Sequence, residues 1–277
     1  MNYRLFFAVL FLLAVHLHAE HDGKIQILLL GDSTTEAKFP KVLAPNEPQL
    51  EDIIRILLAA EGDLPPTDVI NLGLSGEYIR RLLDTGRYDK EVAKLPGIDY
   101  VLIRYGLNDV AHVPDFDTAF PKSFHELLTR LRQDHPGATL IPMTVIPMGE
   151  DLRADEVKAK RINDLVRQVA AEEKLQVFDI YPRYAAEQAK GPNMLNYRRY
   201  PLAKIPEKYR ELAKPFVIDG KEPAVVVLDN RLDAHFGNLE GWFADRHPNL
   251  AGYHVIADET AKYLAPLIRE RAHSAPK

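Results

Sequence analysis

The 277-residue chain contains no cysteine. That excludes disulfides, a thiolate nucleophile, zinc–thiolate centres and a lipidated N-terminal cysteine. It has no excess of positive charge: with 35 Lys and Arg against 40 Asp and Glu the formal net charge is −5. No basic surface therefore points to nucleic acid, and no block of like charge marks a tail. Long hydrophobic runs are missing too, since the most apolar stretch, residues 5–15, is too short to cross a bilayer comfortably. No internal repeat is visible. What is present is an ordinary globular composition, 46% hydrophobic and 27% charged. The length suits one large α/β domain or two small ones and allows a sizeable core.

Arg4, the apolar run and the small-residue site Leu17-His18-Ala19 together read as a secretory signal peptide over residues 1–19. The alternative is an uncleaved membrane anchor. Cleavage after Ala19 removes Arg4 and no acid, taking the net charge from −5 to −6. The expectation is a soluble exported protein, secreted or periplasmic, with no stable membrane insertion after cleavage.

The rest of the chain alternates strand and helix patterns. Ile25 to Leu30 reads as a buried strand. From Asn46 to Gly62 the pattern is helical, with Leu50, Ile53, Ile54, Leu57 and Leu58 on one face. Strands follow at 68–72, 98–104, 139–146 and 177–180. Helices are expected at about 77–83, 117–134, 154–173 (burying Val157, Ile162, Leu165, Val166 and Val169) and from Asn249 or Leu250 to about Arg271. Alternating units of this kind imply a mainly parallel sheet covered on both faces.

From Tyr181 to Trp242 that rhythm breaks. This proline- and aromatic-rich stretch reads as an insertion beside the active face, with a short helix near 206–213 and a strand near 224–228. Tyr197-Arg198-Arg199-Tyr200 within it is a basic aromatic cluster. It reads as a surface loop packing its own aromatics or, functionally, as a sugar-stacking or anion-binding rim that includes Tyr197, Arg198 and Trp242.

The first strand ends at Gly31-Asp32-Ser33-Thr34, where open α/β sheets place their ligands. Gly31 allows a sharp bend and a close substrate, and Ser33 is a candidate nucleophile; a helix-capping turn at Asp32 or Ser33 is the alternative. Gly73, Asn108 and His247 fall at comparable strand ends or helix starts, so the four share one rim. Acyl transfer needs such a set: a hydroxyl, a base and donors aimed at the developing oxyanion.

In this order and spacing, Gly31-Asp32-Ser33-Thr34, Asn71-Leu72-Gly73-Leu74-Ser75-Gly76, Gly106-Leu107-Asn108-Asp109 and Asp245-Arg246-His247-Pro248-Asn249 resemble the blocks of the SGNH/GDSL hydrolase superfamily. The resemblance implies a flavodoxin-like three-layer α/β/α sandwich and ester hydrolysis with no metal or other cofactor. It implies Ser33 as nucleophile and His247 as general base, with the N–H groups of Ser33 and Gly73 and the amide of Asn108 as oxyanion hole. Asp32 and Asp109 are expected to hold loops by accepting backbone N–H bonds. The family usually places its acid three residues before the histidine, where Ala244 stands here. Asp245, two residues before, is the expected acid; some O-acetyltransferase relatives share that spacing. Asp233, Asp229 or a dyad backed by a backbone carbonyl are the alternatives.

The first block resembles that of rhamnogalacturonan and related carbohydrate acetylesterases. The expected substrate is a short-chain acyl ester, acetyl first, on a small molecule or polysaccharide. An O-acyltransferase, a lipase or thioesterase, a metal-dependent phosphoesterase using Asp32, Asn108, Asp109 and His247, and a non-catalytic carbohydrate-binding protein are the competing readings. Nucleic acid is not an expected partner, and the sequence gives no oligomeric state.

Overall fold

The computed structural model describes residues 23–147, 152–190, 195–245 and 247–274, with the backbone alone for 152–156. The expected signal peptide lies outside the described residues. No helix among the described residues is long and apolar enough to cross a membrane.

In chain order the elements are β1 (Ile25–Gly31), α1 (Ser33–Glu36), α2 (Lys38–Leu43), α3 (Leu50–Ala60), β2 (Thr67–Asn71), α4 (Ile79–Asp84), β3 (Ile98–Arg104), α5 (Asp109–His112), α6 (Phe116–Asp134), β4 (Thr139–Pro142), α7 (Leu152–Glu172) and α8 (Tyr181–Gln188). They continue as β5 (Arg198–Pro201), α9 (Arg210–Ala213), β6 (Val217–Ile218), β7 (Ala224–Val227), α10 (Asp233–Phe236) and α11 (Leu250–Ser274).

The main sheet has the order β2-β1-β3-β4, and every pair in it is parallel. Alternation along β1 divides the core. Leu28 and Leu30 face a layer built from α4, α6 and α7, whose inward residues include Leu82, Phe120, Phe124, Ile162 and Val166. Ile27 and Leu29 face α3, α8 and α11 through Leu50, Ile54, Tyr184, Ile256 and Leu264. Because side chains alternate with period two, an all-apolar strand must be covered on both sides, which yields three layers. β1 and β3 are neighbours although β2 lies between them in sequence. The chain reverses direction of winding there, and at that switch point the strand ends open a crevice for ligand.

Several expected boundaries move. The fifth strand reduces to a single parallel bridge, Met143 with Phe178, which continues the sheet beyond β4. β4 stops at Pro142 and not at Ile146, because Asn163 of α7 captures the main chain of Val145, accepting from its N–H at 2.7 Å and donating to its carbonyl at 3.2 Å. α3 begins at Leu50 because Gln49 and Asp52 form a capping box. Val157, expected inside, is 70% exposed. It lies off the stripe through which α7 packs, Ala159, Ile162, Val166 and Val169.

The region expected to be an insertion is less loop-like than its composition suggests. Its start, α8, belongs to the main core through Tyr184. The remainder holds a second sheet, β5-β7-β6, antiparallel throughout. This sheet has its own apolar cluster, including Tyr200, Ile205, Val225, Phe236 and Trp242. Its attachment to the main body matters for the site. Asn196 bridges Pro248, Tyr197 donates its N–H to the carbonyl of His247 at 3.1 Å, and Asn249 donates its N–H to that of Leu195 at 2.8 Å.

Candidate active site

The turn after β1 is built from buried polar contacts. Asp32 caps α1: its Oδ1 accepts from the N–H of Thr34 at 2.9 Å and from the Thr34 hydroxyl at 2.8 Å. Its carboxyl is enclosed, and desolvation raises its pKa against the opposing hydrogen bonds. Arg104, buried at the end of β3, donates from Nη2 to the Thr34 carbonyl at 2.5 Å and to Thr35 Oγ1 at 3.2 Å. From α11, the Tyr253 hydroxyl reaches the carbonyl of Ser33 at 3.4 Å. The bend therefore has fixed partners on each side. Gly31 leaves its space to protein and not to substrate, since a Cβ there would meet Thr35 Oγ1 and stand 2.8 Å from the Arg104 carbonyl.

Ser33 Oγ lies 2.8 Å from His247 Nε2. On the other side of the ring, His247 Nδ1 lies 3.0 Å from Asp245 Oδ1. Nδ1–H donating to the carboxylate leaves Nε2 as an acceptor for the Ser33 hydroxyl. The short acid-to-histidine spacing works because Asp245 Oδ1 also accepts the backbone N–H of His247 at 3.1 Å. This is an Asx turn, in which a side chain bonds the main chain two residues on. One carboxylate oxygen thus sets both the turn and the ring. The other, Oδ2, is held by Arg199 Nε at 3.2 Å. Tyr197 stacks on the imidazole with ring centres 5.2 Å apart and packs against Phe39 on its far side, also at 5.2 Å. Asp233 and Asp229, the alternative acids, are engaged elsewhere: Asp233 by Arg198 and Trp242, Asp229 by Arg231.

Asn108 follows β3 at the same edge of the sheet. Its Nδ2 donates one hydrogen to the carbonyl of Glu77 at 3.0 Å, which leaves the second N–H for a ligand. Asp109 beside it is fully buried and accepts from the N–H groups of Ile79 and Gly106, both at 3.0 Å. Burial raises its pKa from 3.8 to about 7. Asp32 and Asp109 therefore hold loops, as their surroundings require. Among the described residues no group of three or more His, Asp or Glu side chains could hold a metal ion.

One expected oxyanion donor is corrected. The N–H of Gly73 is already given to Asn71 Oδ1 at 3.0 Å, and Asn71 is itself fixed through Nδ2 to the Thr35 carbonyl and Glu51. Along Leu72–Glu77 the backbone donors are accounted for. Leu72 gives to the Leu29 carbonyl, Leu74 to that of Gly31, Ser75 to the Glu36 carboxylate and Glu77 to the Leu74 carbonyl. Among the described residues only Gly76 in this loop has an N–H with no acceptor, and its φ of 72° is one that glycine adopts freely. Ser33, as first residue of α1, also carries an N–H that helix geometry leaves without an intrahelical acceptor. Asn71 competing for the Gly73 N–H left no signal along the chain.

The suggested substrate rim is corrected as well. Tyr197, Arg198 and Trp242 are buried. On β5 the side chains alternate, so Arg198 and Tyr200 turn inward while Arg199, 49% exposed, turns out. Arg198 is spent on Asp233 and the Asn196 carbonyl, and the Trp242 indole N–H on Asp233 at 2.8 Å. Tyr78 stacks on exposed His112, ring centres 5.4 Å apart.

A hydroxyl on an imidazole backed by a carboxylate, set at the switch point of a parallel sheet between two helical layers, defines a serine ester hydrolase of the three-layer type. The chain belongs to the GDSL-like lipase/acylhydrolase family, whose sequence model matches residues 29–200. Among curated proteins, none matches the chain. Solved structures share the fold. An acetylxylan esterase from Geobacillus stearothermophilus is 18% identical with a TM-score of 0.54, covering 87% of this chain and 94% of its own. A lipase/acylhydrolase from Enterococcus faecalis is 20% identical, TM-score 0.51, covering 88% and 96%. A member of the lipolytic G-D-S-L family from Veillonella parvula is 16% identical, TM-score 0.51, covering 86% and 97%.

Proposed function

We propose that this hydrolase is an exported esterase that removes short-chain acyl groups, acetyl first, from carbohydrate. The observation that carries the mechanism is the unbroken relay from Ser33 Oγ through His247 to Asp245, with links of 2.8 and 3.0 Å. Ser33 attacks the ester carbonyl as His247 Nε2 takes its proton. The protonated ring, stabilised by Asp245, then delivers that proton to the departing alcohol. Water repeats the cycle on the acyl-enzyme and releases the acid. The N–H groups of Ser33 and Gly76 and the free amide hydrogen of Asn108 receive the oxyanion; in other serine hydrolases one such donor is worth about 3–4 kcal/mol.

The carbohydrate reading is supported by the acetylxylan esterase among the structural relatives. Polar and aromatic groups, exposed Arg199 and the Tyr78–His112 stack, suit a hydroxylated ligand better than an acyl tail. Export is supported by the charged start, apolar centre and small-residue end of residues 1–19.

A screen of p-nitrophenyl esters from acetyl to dodecanoyl, together with acetylated xylo-oligosaccharides, tests the substrate. The expected result is fastest turnover of acetate and release of acetic acid from the oligosaccharides. A preference for long acyl chains with no acetate release overturns the carbohydrate reading.

A further inference from the structure

The loop that offers the Gly76 N–H is closed at both ends by one side chain. Arg87, in the turn after α4, donates from Nη2 to the Leu72 carbonyl at 2.8 Å and from Nη1 to Glu77 Oε2 at 2.6 Å. Its Nε goes to Glu91 at 2.7 Å. Tyr105, just past β3, adds its hydroxyl to the same Glu77 oxygen at 2.8 Å. The carbonyl of Glu77 is the acceptor that orients the Asn108 amide, and its N–H closes the turn on Leu74. The Arg87 and Glu77 side chains are 14% and 1% exposed.

We propose that the Arg87–Glu77 ion pair is a positioning device for the oxyanion site, holding the Gly76 N–H and the Asn108 amide in fixed relation. The inference rests on the ester-hydrolase reading of Ser33, Gly76 and Asn108. Glu77 cannot shift its carbonyl without moving a buried carboxylate that two donors hold, Arg87 Nη1 and the Tyr105 hydroxyl. A planar guanidinium suits the task because its two Nη atoms reach two chain segments at a set separation, which an ammonium cannot do. A buried ion pair stabilises a fold little better than apolar side chains of the same volume. What it supplies here is geometry: donors fixed before the reaction need no rearrangement as charge develops on the substrate oxygen. Neither side chain touches substrate.

The test uses Arg87→Met and Arg87→Lys, each in the wild-type and Asn108→Ala backgrounds, with kcat and KM measured on p-nitrophenyl acetate. Arg87→Met is expected to lower kcat about 10- to 100-fold with KM within about twofold, and Arg87→Lys to fall between. In the Asn108→Ala background the same change should cost clearly less, by about threefold or more, because one of the two donors it positions is gone. An equal loss in both backgrounds, or a folded Arg87→Met enzyme at wild-type kcat, overturns the inference. If Arg87→Met does not fold, the lysine variant is read by the same criteria. An Asn108→Ala enzyme at wild-type kcat overturns the underlying oxyanion reading and this inference with it. A slow Asn108→Ala enzyme beside an Arg87→Met enzyme of wild-type rate overturns this inference alone.

Discussion

Gly73→Ala is expected to slow the enzyme although Gly73 neither donates to the oxyanion nor carries a side chain. A Cβ at position 73 would stand 2.7 Å from the Thr35 carbonyl carbon and 2.8 Å from Thr35 Cβ, and closer still to Glu36 N. Ordinary contact between carbons begins near ~3.5 Å. Two of those atoms are backbone, so the clash cannot be relieved by turning a flexible side chain. The loop is tied to β1 through Leu72 and Leu74, and α1 is held by Asp32 and Arg104. One of the two must retreat by about 1 Å to restore contact distance. Ser33, two residues before Thr35, moves with α1, and its 2.8 Å bond to His247 has little room to lengthen. Overpacking of this kind costs about 1–3 kcal/mol of stability, and a misplacement of about 1 Å can cost about 10²-fold in rate. The assay is kcat on p-nitrophenyl acetate beside a urea-unfolding midpoint. A variant with wild-type kcat and midpoint refutes the claim that the two loops are in rigid contact.

Three further outcomes are expected. Asp245→Asn keeps an acceptor for the Asx turn but removes the charge beneath the imidazolium, so kcat should fall by about 10²–10⁴-fold with the unfolding midpoint nearly unchanged; unchanged turnover sends the role of acid elsewhere. Asn108→Ala should lower kcat by about 10²–10³-fold with KM little altered, because the oxyanion exists mainly in the transition state; equal losses in substrate binding contradict that role. Asp109 titrates at about 7 in the fold against an ordinary 3.8. The folded state thus binds the extra proton between those values, and this group's contribution to stability falls as pH rises from about 4 to about 7, by at most about 4 kcal/mol. Unfolding midpoints across that range should show the decline, and Asp109→Asn, less stable by about 1–3 kcal/mol for its lost acceptor, should flatten it; an identical pH profile in the variant refutes the assignment.

How much of this was legible beforehand depended on whether the signal was local. β1 and β3, apolar and punctuated by small polar residues, ended within a residue of where the sequence put them. Strand alternation with helices leaves few topologies, and in this one Ser33 and His247 stand 2.8 Å apart. Features decided by distant partners were not legible. Val145 left the sheet for Asn163, and the N–H of Gly73 was claimed by Asn71. Arg198 and Trp242 looked like surface recognition groups because their types are common there. Their shared partner Asp233, half-buried at the start of α10, was invisible along the chain. The two-residue acid spacing looked like a defect by comparison with the family and became intelligible once Asp245 was seen bonding both the ring and the main chain of His247.

Catalysis by this site requires that Ser33 form the covalent acyl-enzyme with His247 as its base. Intact-mass and peptide mapping after treatment with a fluorophosphonate tests it directly. One adduct per chain is expected on the peptide containing Ser33, absent in Ser33→Ala and greatly slowed in His247→Ala. An adduct on another residue, or a Ser33→Ala enzyme that still hydrolyses esters at the wild-type rate, would contradict it.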